Sequence, residues 1–217
     1  NILHALIDDP KGVSEICEKL NIIKGGSTIQ YLNDLIKSGF VTKDVKYSPK
    51  TGKLTKQVRY RINDNYIRFY LKYIEPNADK IEKDIYPKSS LGNIIAWDTI
   101  LGLQFENLVL NNLSLLCQRL DINTESVISM APYFQKQNKN NRGFQIDLLI
   151  QTRSALYPCE IKFRRKIDTS VLNDVKRKVS YLPIKQLTSI RPVLIYAGKL
   201  ENSVIREDYF DRVVSFT

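Results

Sequence analysis

The sequence predicts a mixed protein, α+β or α/β, in two parts: a small helix-turn-helix with a strand hairpin, then a larger α/β domain around a central mixed sheet. Three observations carry this expectation. Two helical apolar stripes separated by glycines lie within 13–39, two strand-like runs follow up to Ile62, and three more strand-like runs sit between helical stretches after residue 100. The expected division is 1–63 for the first domain, 64–90 for a helical connector and 91–217 for the second domain.

Composition bounds the function. The chain has 217 residues, 43% hydrophobic, with 9 Gly and 8 Pro, so packed cores are expected and long disordered tracts are not. No run approaches the ~18–20 apolar residues of a membrane span. Three dispersed cysteines, Cys17, Cys117 and Cys159, form no CxxC, which argues against a disulfide framework and for a reducing, cytoplasmic setting. The lone histidine, His4, excludes a Ser-His-Asp triad within a folded domain and any multi-histidine metal site. The net charge of +10 divides into +5 over 1–75, −1 over 76–99 and +6 over 100–217, which points to a polyanionic partner. The first residue is Asn1 rather than Met, and we read the chain as part of a longer polypeptide.

The elements follow in order. Val13, Ile16, Cys17 and Leu20 recur at helical spacing, and Gly25-Gly26 breaks the pattern. A second helix is expected from an N-cap at Ser27, with Ile29, Leu32, Leu35 and Ile36 on one stripe and Gly39 as its left-handed stop. Phe40 to Tyr47 and Leu54 to Ile62 read as strands joined by the turn Ser48-Pro-Lys-Thr-Gly-Lys53, with Val58, Tyr60 and Ile62 on one face and Gln57, Arg59 and Arg61 on the other. Residues 43–61 hold seven Lys/Arg and one Asp. The stretch from His4 to Ile62 resembles a winged helix-turn-helix. That resemblance implies contact with double-stranded DNA, the second helix offering Lys24, Ser27, Thr28, Gln30 and Asn33 to a major groove and the wing offering Lys50, Lys53 and Lys56 to phosphates. A winged helix used only for protein contact remains the alternative.

In the connector, Tyr66, Phe69, Tyr70 and Tyr73 fall at helical spacing, and packing is preferred over base stacking as their role. Pro76 is expected to end that helix, 77–86 reads as a short polar helix, and Pro87-Lys-Ser-Ser90 reads as the break between domains.

Leu101 to Leu120 reads as one helix with a broad leucine face, within which Glu106 lies beside Phe105. Ser126 to Tyr133 is strand-like, and the loop 135–142 is basic. Phe144 to Gln151 and Leu156 to Phe163 read as an antiparallel hairpin, followed by a helix over Thr169–Tyr181. If the turn centres between Arg153 and Ser154, Asp147 and Glu160 are equidistant from it and face each other, with Lys162 on the same face. Two opposed carboxylates repel, and a divalent cation removes that penalty; hard oxygen ligands suit Mg²⁺ or Mn²⁺. A coincidental surface pair, with ordinary salt bridges to Lys162 or Arg164, is the alternative.

An Asp, a spacer, then Glu-x-Lys resembles the PD-(D/E)XK nuclease superfamily, which implies a restriction-endonuclease-like α/β domain. The resemblance implies Asp147, Glu160 and Lys162 as the catalytic set. Asp147 and Glu160 would be metal ligands, with Glu106 auxiliary, and Lys139, Arg142, Arg164 and Arg165 would bind phosphate. Winged helix, the linker Tyr66-Ile-Arg-Phe-Tyr, Leu103-Gln-Phe-Glu106, Ile146-Asp147 and Cys159-Glu-Ile-Lys162 together resemble the C-terminal half of archaeal-type AAA-family ATPases. That likeness implies an upstream ATPase domain as partner, with ATP bound only there, since Gly52-Lys53-Leu54 lacks the P-loop pattern. Gln145 stands where the family often has Glu. Metal-dependent DNA hydrolysis and a catalytically silent DNA- or protein-binding regulatory module are both compatible with these residues, and the oligomeric state is open, a homo-oligomer included.

Overall fold

The structure is a computed structural model that describes residues 1–87, 95–137, 142–184 and 189–216. The chain divides into two compact units: 1–44 with 57–104, and 45–56 with 105–217. This differs from the expected 1–63, 64–90 and 91–217 in two places. The hairpin tip groups with the second unit, and the connector helices together with the start of the next helix belong to the first. Residues 88–90 of the expected domain break lie outside the described residues.

The first unit begins with α1 (Ile2–Ala5), α2 (Val13–Leu20) and α3 (Gly26–Lys37). Glu15 Oε2 accepts the Gly12 amide at 2.6 Å and so fixes the start of α2. Helix α3 starts one residue before the expected cap at Ser27: Gly25 is the N-cap, with no side-chain capping bond. Its end is as expected. Gly39 adopts φ +78, its amide bonds Ile36 O and the Phe40 amide bonds Leu35 O, which satisfies two of the terminal carbonyls.

Strands β1 (Val41–Tyr47) and β2 (Leu54–Ile62) form the hairpin, and Lys11 adds a single antiparallel bridge to Tyr60. Tyr60 and Ile62 are buried as the alternation requires. Arg61, expected on the polar face, is buried too, at 5% exposure, because its Nε donates to the buried Asp44 Oδ2 at 3.0 Å. The core of this unit joins Leu6, Ile16, Leu32, Val41, Ile62 and Tyr73.

Helix α4 (Asn65–Phe69) runs into a π-helical turn over Tyr70–Ile74 and a 3₁₀ turn at Glu75–Asn77 containing Pro76, then α5 (Ala78–Glu82). Phe69, Tyr73 and Trp97 pack ring against ring at 5.5–6.2 Å, which gives these aromatics a packing role.

The single helix expected over 101–120 is two, α6 (Trp97–Leu110) and α7 (Leu113–Arg119), bent 79° from one another. Asn111 and Asn112 lie at the break, and Asn112 Nδ2 donates to Leu108 O at 2.7 Å, a side-chain bond to the backbone that competes with helix continuation. Among the described residues no single helix is long and apolar enough to cross a membrane.

The second unit holds β3 (Val127–Gln135), β4 (Phe144–Thr152), β5 (Ala155–Ile167), α8 (Ser170–Ser180), β6 (Ser189–Ile190), β7 (Val193–Leu200), α9 (Asn202–Arg206) and β8 (Arg212–Ser215). The sheet is mixed, in the order β3-β4-β5-β7-β8 with β6 beside β5; the first two pairings are antiparallel and the others parallel. Pro132 and Pro158, each lacking an amide to donate, fall at irregularities. Pro132 sits at the register shift in β3, and Pro158 lies between the β6-paired and β7-paired parts of β5.

Both faces of this sheet are covered. Leu148, Ile150, Cys159 and Ile161 pack with Val109 and Leu116, while Ile167 and Leu194 pack with Val171, Leu172 and Val175 of α8. The hairpin tip packs within this unit: Gln151 Nε2 donates to Pro49 O at 3.1 Å, and the Lys46 ammonium sits 4.5 Å from the Tyr133 ring centroid.

Candidate acid–lysine site

The register of β4 on β5 places Leu148 opposite Cys159 and Leu149 opposite Pro158, which centres the turn between Arg153 and Ser154 as the sequence predicts. One step beyond the last paired residues, Asp147 reaches across: its Oδ2 accepts the Ile161 amide at 2.8 Å. Glu160 lies beside it at 1% exposure. An ionised carboxylate that deep needs cations, and two are supplied. Lys162 Nζ stands 2.5 Å from Oε1, and Lys178 Nζ, from α8, donates to both oxygens at 2.8 Å. Lys178 also pairs with Asp174 Oδ2 at 2.9 Å, one helical turn before it, and Arg177 pairs with Asp174 as well.

Burial pushes the Asp147 carboxyl up to about 6, with the Glu160 charge adding to the rise; Lys162, Lys178 and the Ile161 amide pull it back without cancelling it. Lys178 is held above its ordinary value. Burial would lower it, but the carboxylates of Glu160, Asp147 and Asp174 outweigh burial. The Cys159 thiol is pushed far up, first by burial and then by Asp147, so it is an inert core residue.

Against this cluster opens a cavity of about 310 Å³ whose lining includes Arg142, Phe144, Asp147, Arg177, Lys178 and Tyr181. A larger cavity, about 840 Å³, lies in the first unit beside α3; its lining is mostly apolar, Ile22 and Ile23 included, and its one charged side chain is Asp34. The acid–lysine cluster borders the smaller one, through Asp147 and Lys178.

The structure brings together Asp147, Glu160 and Lys162 as expected and adds Lys178, which sequence reasoning missed. A Lys four residues after an Asp on an amphipathic helix is an ordinary surface pair in sequence, and only packing of α8 over β4 and β5 turns it inward. Among the described residues no three His, Cys, Asp or Glu, Glu106 included, are grouped to hold a metal. Asp147 and Glu160 offer the hard oxygens that Mg²⁺ or Mn²⁺ prefers, so these two would hold such an ion, with water completing the shell.

Of the residues expected to touch DNA, Lys24, Ser27, Gln30 and Asn33 are exposed and Thr28 is buried at 3%, because it faces the core side of α3. The same helix exposes Ile29 and Tyr31. Lys50, Lys53 and Lys56 are exposed, as are Arg142, Arg164 and Arg165. Lys139 lies outside the described residues.

No protein-family model matches this sequence, and no curated protein matches it. Among solved structures, protein VC1899 from Vibrio cholerae is similar with a TM-score of 0.40 and 12% identity over 93% of this chain. The chain spans 44% of that protein's length.

Proposed function

We propose that this chain binds DNA and hydrolyses its phosphodiesters at the acid–lysine cluster of β4, β5 and α8. The observation that supports this reading most is the convergence of Asp147, Glu160, Lys162 and Lys178 beside a cationic cavity. Buried opposed carboxylates with lysines at their edge are costly to fold and suited to reacting phosphate. Bound by Asp147 and Glu160, Mg²⁺ or Mn²⁺ would supply Lewis-acid polarisation and an acidified water.

The chain's own residues would do the rest. Lys162, partly exposed, would offset the negative charge that develops on the phosphoryl oxygens. Lys178 would hold the Glu160 carboxylate in place. Arg142 and Arg177 would hold the neighbouring phosphate. The helix-turn-helix resemblance of the first unit would deliver duplex through Lys24, Ser27 and Gln30, with Lys50, Lys53 and Lys56 adding phosphate contacts. The ATPase domain implied by the family resemblance would act on the same DNA from upstream.

A second reading has its own support. Both oxygens of Glu160 are already engaged by ammonium groups, as expected for a silent site that binds nucleic acid without cutting it. Nicking of supercoiled plasmid with Mg²⁺ or Mn²⁺, wild type beside Glu160→Ala, separates the two. Nicking by wild type alone supports hydrolysis. Absence of nicking by either protein, with a salt-sensitive gel shift retained, rejects it in favour of the silent module.

A further inference from the structure

The cavity beside Asp147 has a lining that the acid–lysine cluster alone does not require. Three cations, Arg142, Arg177 and Lys178, share it with one carboxylate, Asp147. Two aromatic rings join them. Phe144 and Tyr181 lie 5.8 Å apart at 58°, and the Arg142 guanidinium sits 5.8 Å from the Tyr181 ring centroid while Nη1 donates to Tyr181 Oη at 3.0 Å. Cations suit a phosphate and aromatic faces suit a base. Rings tilted this far cannot sandwich a base between parallel faces, so stacking would use one ring and tolerate any base.

The volume sets the rest. About 310 Å³ is the low end of ligand pockets, which run roughly 300–1,000 Å³, enough for one small group and far too little for a duplex. A paired base is stacked on both faces and reaches such a cavity only after leaving the helix, which costs a few kcal/mol. We infer that this cavity is a binding site for a single unpaired nucleotide, with its phosphate on Arg142 and Arg177 and its base against Phe144 or Tyr181. Resting on the hydrolase reading of Asp147, the inference makes unpaired strands and strand ends the substrate class, because the seated phosphate then adjoins the acid cluster.

The test is equilibrium binding of the full 217-residue chain, with chelator present, to a short 3′-labelled oligothymidylate and to a duplex of equal length. One of the two variants Phe144→Leu and Tyr181→Leu, whichever removes the stacking ring, is expected to weaken oligothymidylate binding about tenfold, the scale of one lost base stack, and neither is expected to change duplex binding. Parallel loss for both ligands, or no loss for either, overturns the inference. Thymidine monophosphate provides a check on wild type that needs no folded variant: it should displace oligothymidylate and not duplex, and failure to displace overturns the inference too. The plasmid assay fails separately. Selective binding without nicking keeps the pocket and removes the hydrolase, whereas nicking without selectivity does the reverse.

Discussion

Two buried carboxylates in this molecule have opposite surroundings. Asp44, in the first unit, has one cation, Arg61, in a closed hairpin face; both side chains are at most 10% exposed. Glu160, in the second unit, has two lysines and stands beside a second carboxylate at a cavity. Burial raises the Asp44 carboxyl even against its arginine, so a perturbed acid is not by itself the mark of a site. The difference lies in access. The closed pair completes itself, whereas Asp147 and Lys178 of the acid–lysine cluster line a cavity where a ligand can meet them.

The comparison is broken most forcefully at its closed end. Arg61→Met should cost about 3–5 kcal/mol, since it leaves Asp44 buried and charged, and the double variant with Asp44→Leu should recover most of that loss in urea denaturation. An unrecovered loss would mean that Arg61 stabilises through something other than Asp44. Lys178→Met should cost less, about 1.5–3 kcal/mol, because Lys162 still pairs with Glu160. A cost equal to that of Arg61→Met would show that Lys162 does not share the charge.

The smaller effects sharpen the contrast. Asp147 is raised from 3.8 to about 6, so the folded state favours its neutral form. The stability this contributes is fully present below the unfolded value and is lost as pH rises through about 6. Asp147→Asn should therefore flatten the decline in stability over that interval, and an unchanged slope would place the titration elsewhere. Glu160→Gln should lower the Asp147 titration seen by NMR, because it deletes a neighbouring negative charge and releases the lysines; a titration that stays near 6 would leave burial as the whole cause.

Much of this was legible in the sequence, and the physical reason is locality. The α3 terminus follows from Gly39, the hairpin from alternation, and the Asp147–Glu160 juxtaposition from the position of a short turn, all within about twenty residues. Lys178 was not legible, since its partner is on another element and its own neighbourhood reads as a solvated helix face. The burial of Thr28 and Arg61 was hidden for the same reason: each lies where a polar residue is usually exposed, and only its packing partner reverses that. The break at Asn111-Asn112 was locally signalled by two poor helix formers, and the leucine stripe on either side obscured it.

By itself the sequence determined the mixed architecture, most of the elements as far as α8 and the pair of carboxylates facing each other across a hairpin, because periodicity and turn chemistry act between near neighbours; it assigned none of the elements after α8. Only the tertiary structure decided that Lys178 neutralises Glu160, that the hairpin tip groups with the second unit and that Arg142, Phe144 and Tyr181 wall a cavity at Asp147. These are contacts between residues far apart in the chain. They form where burying apolar faces leaves polar side chains no solvent to turn to, and nothing in local spacing encodes which distant partner each will meet.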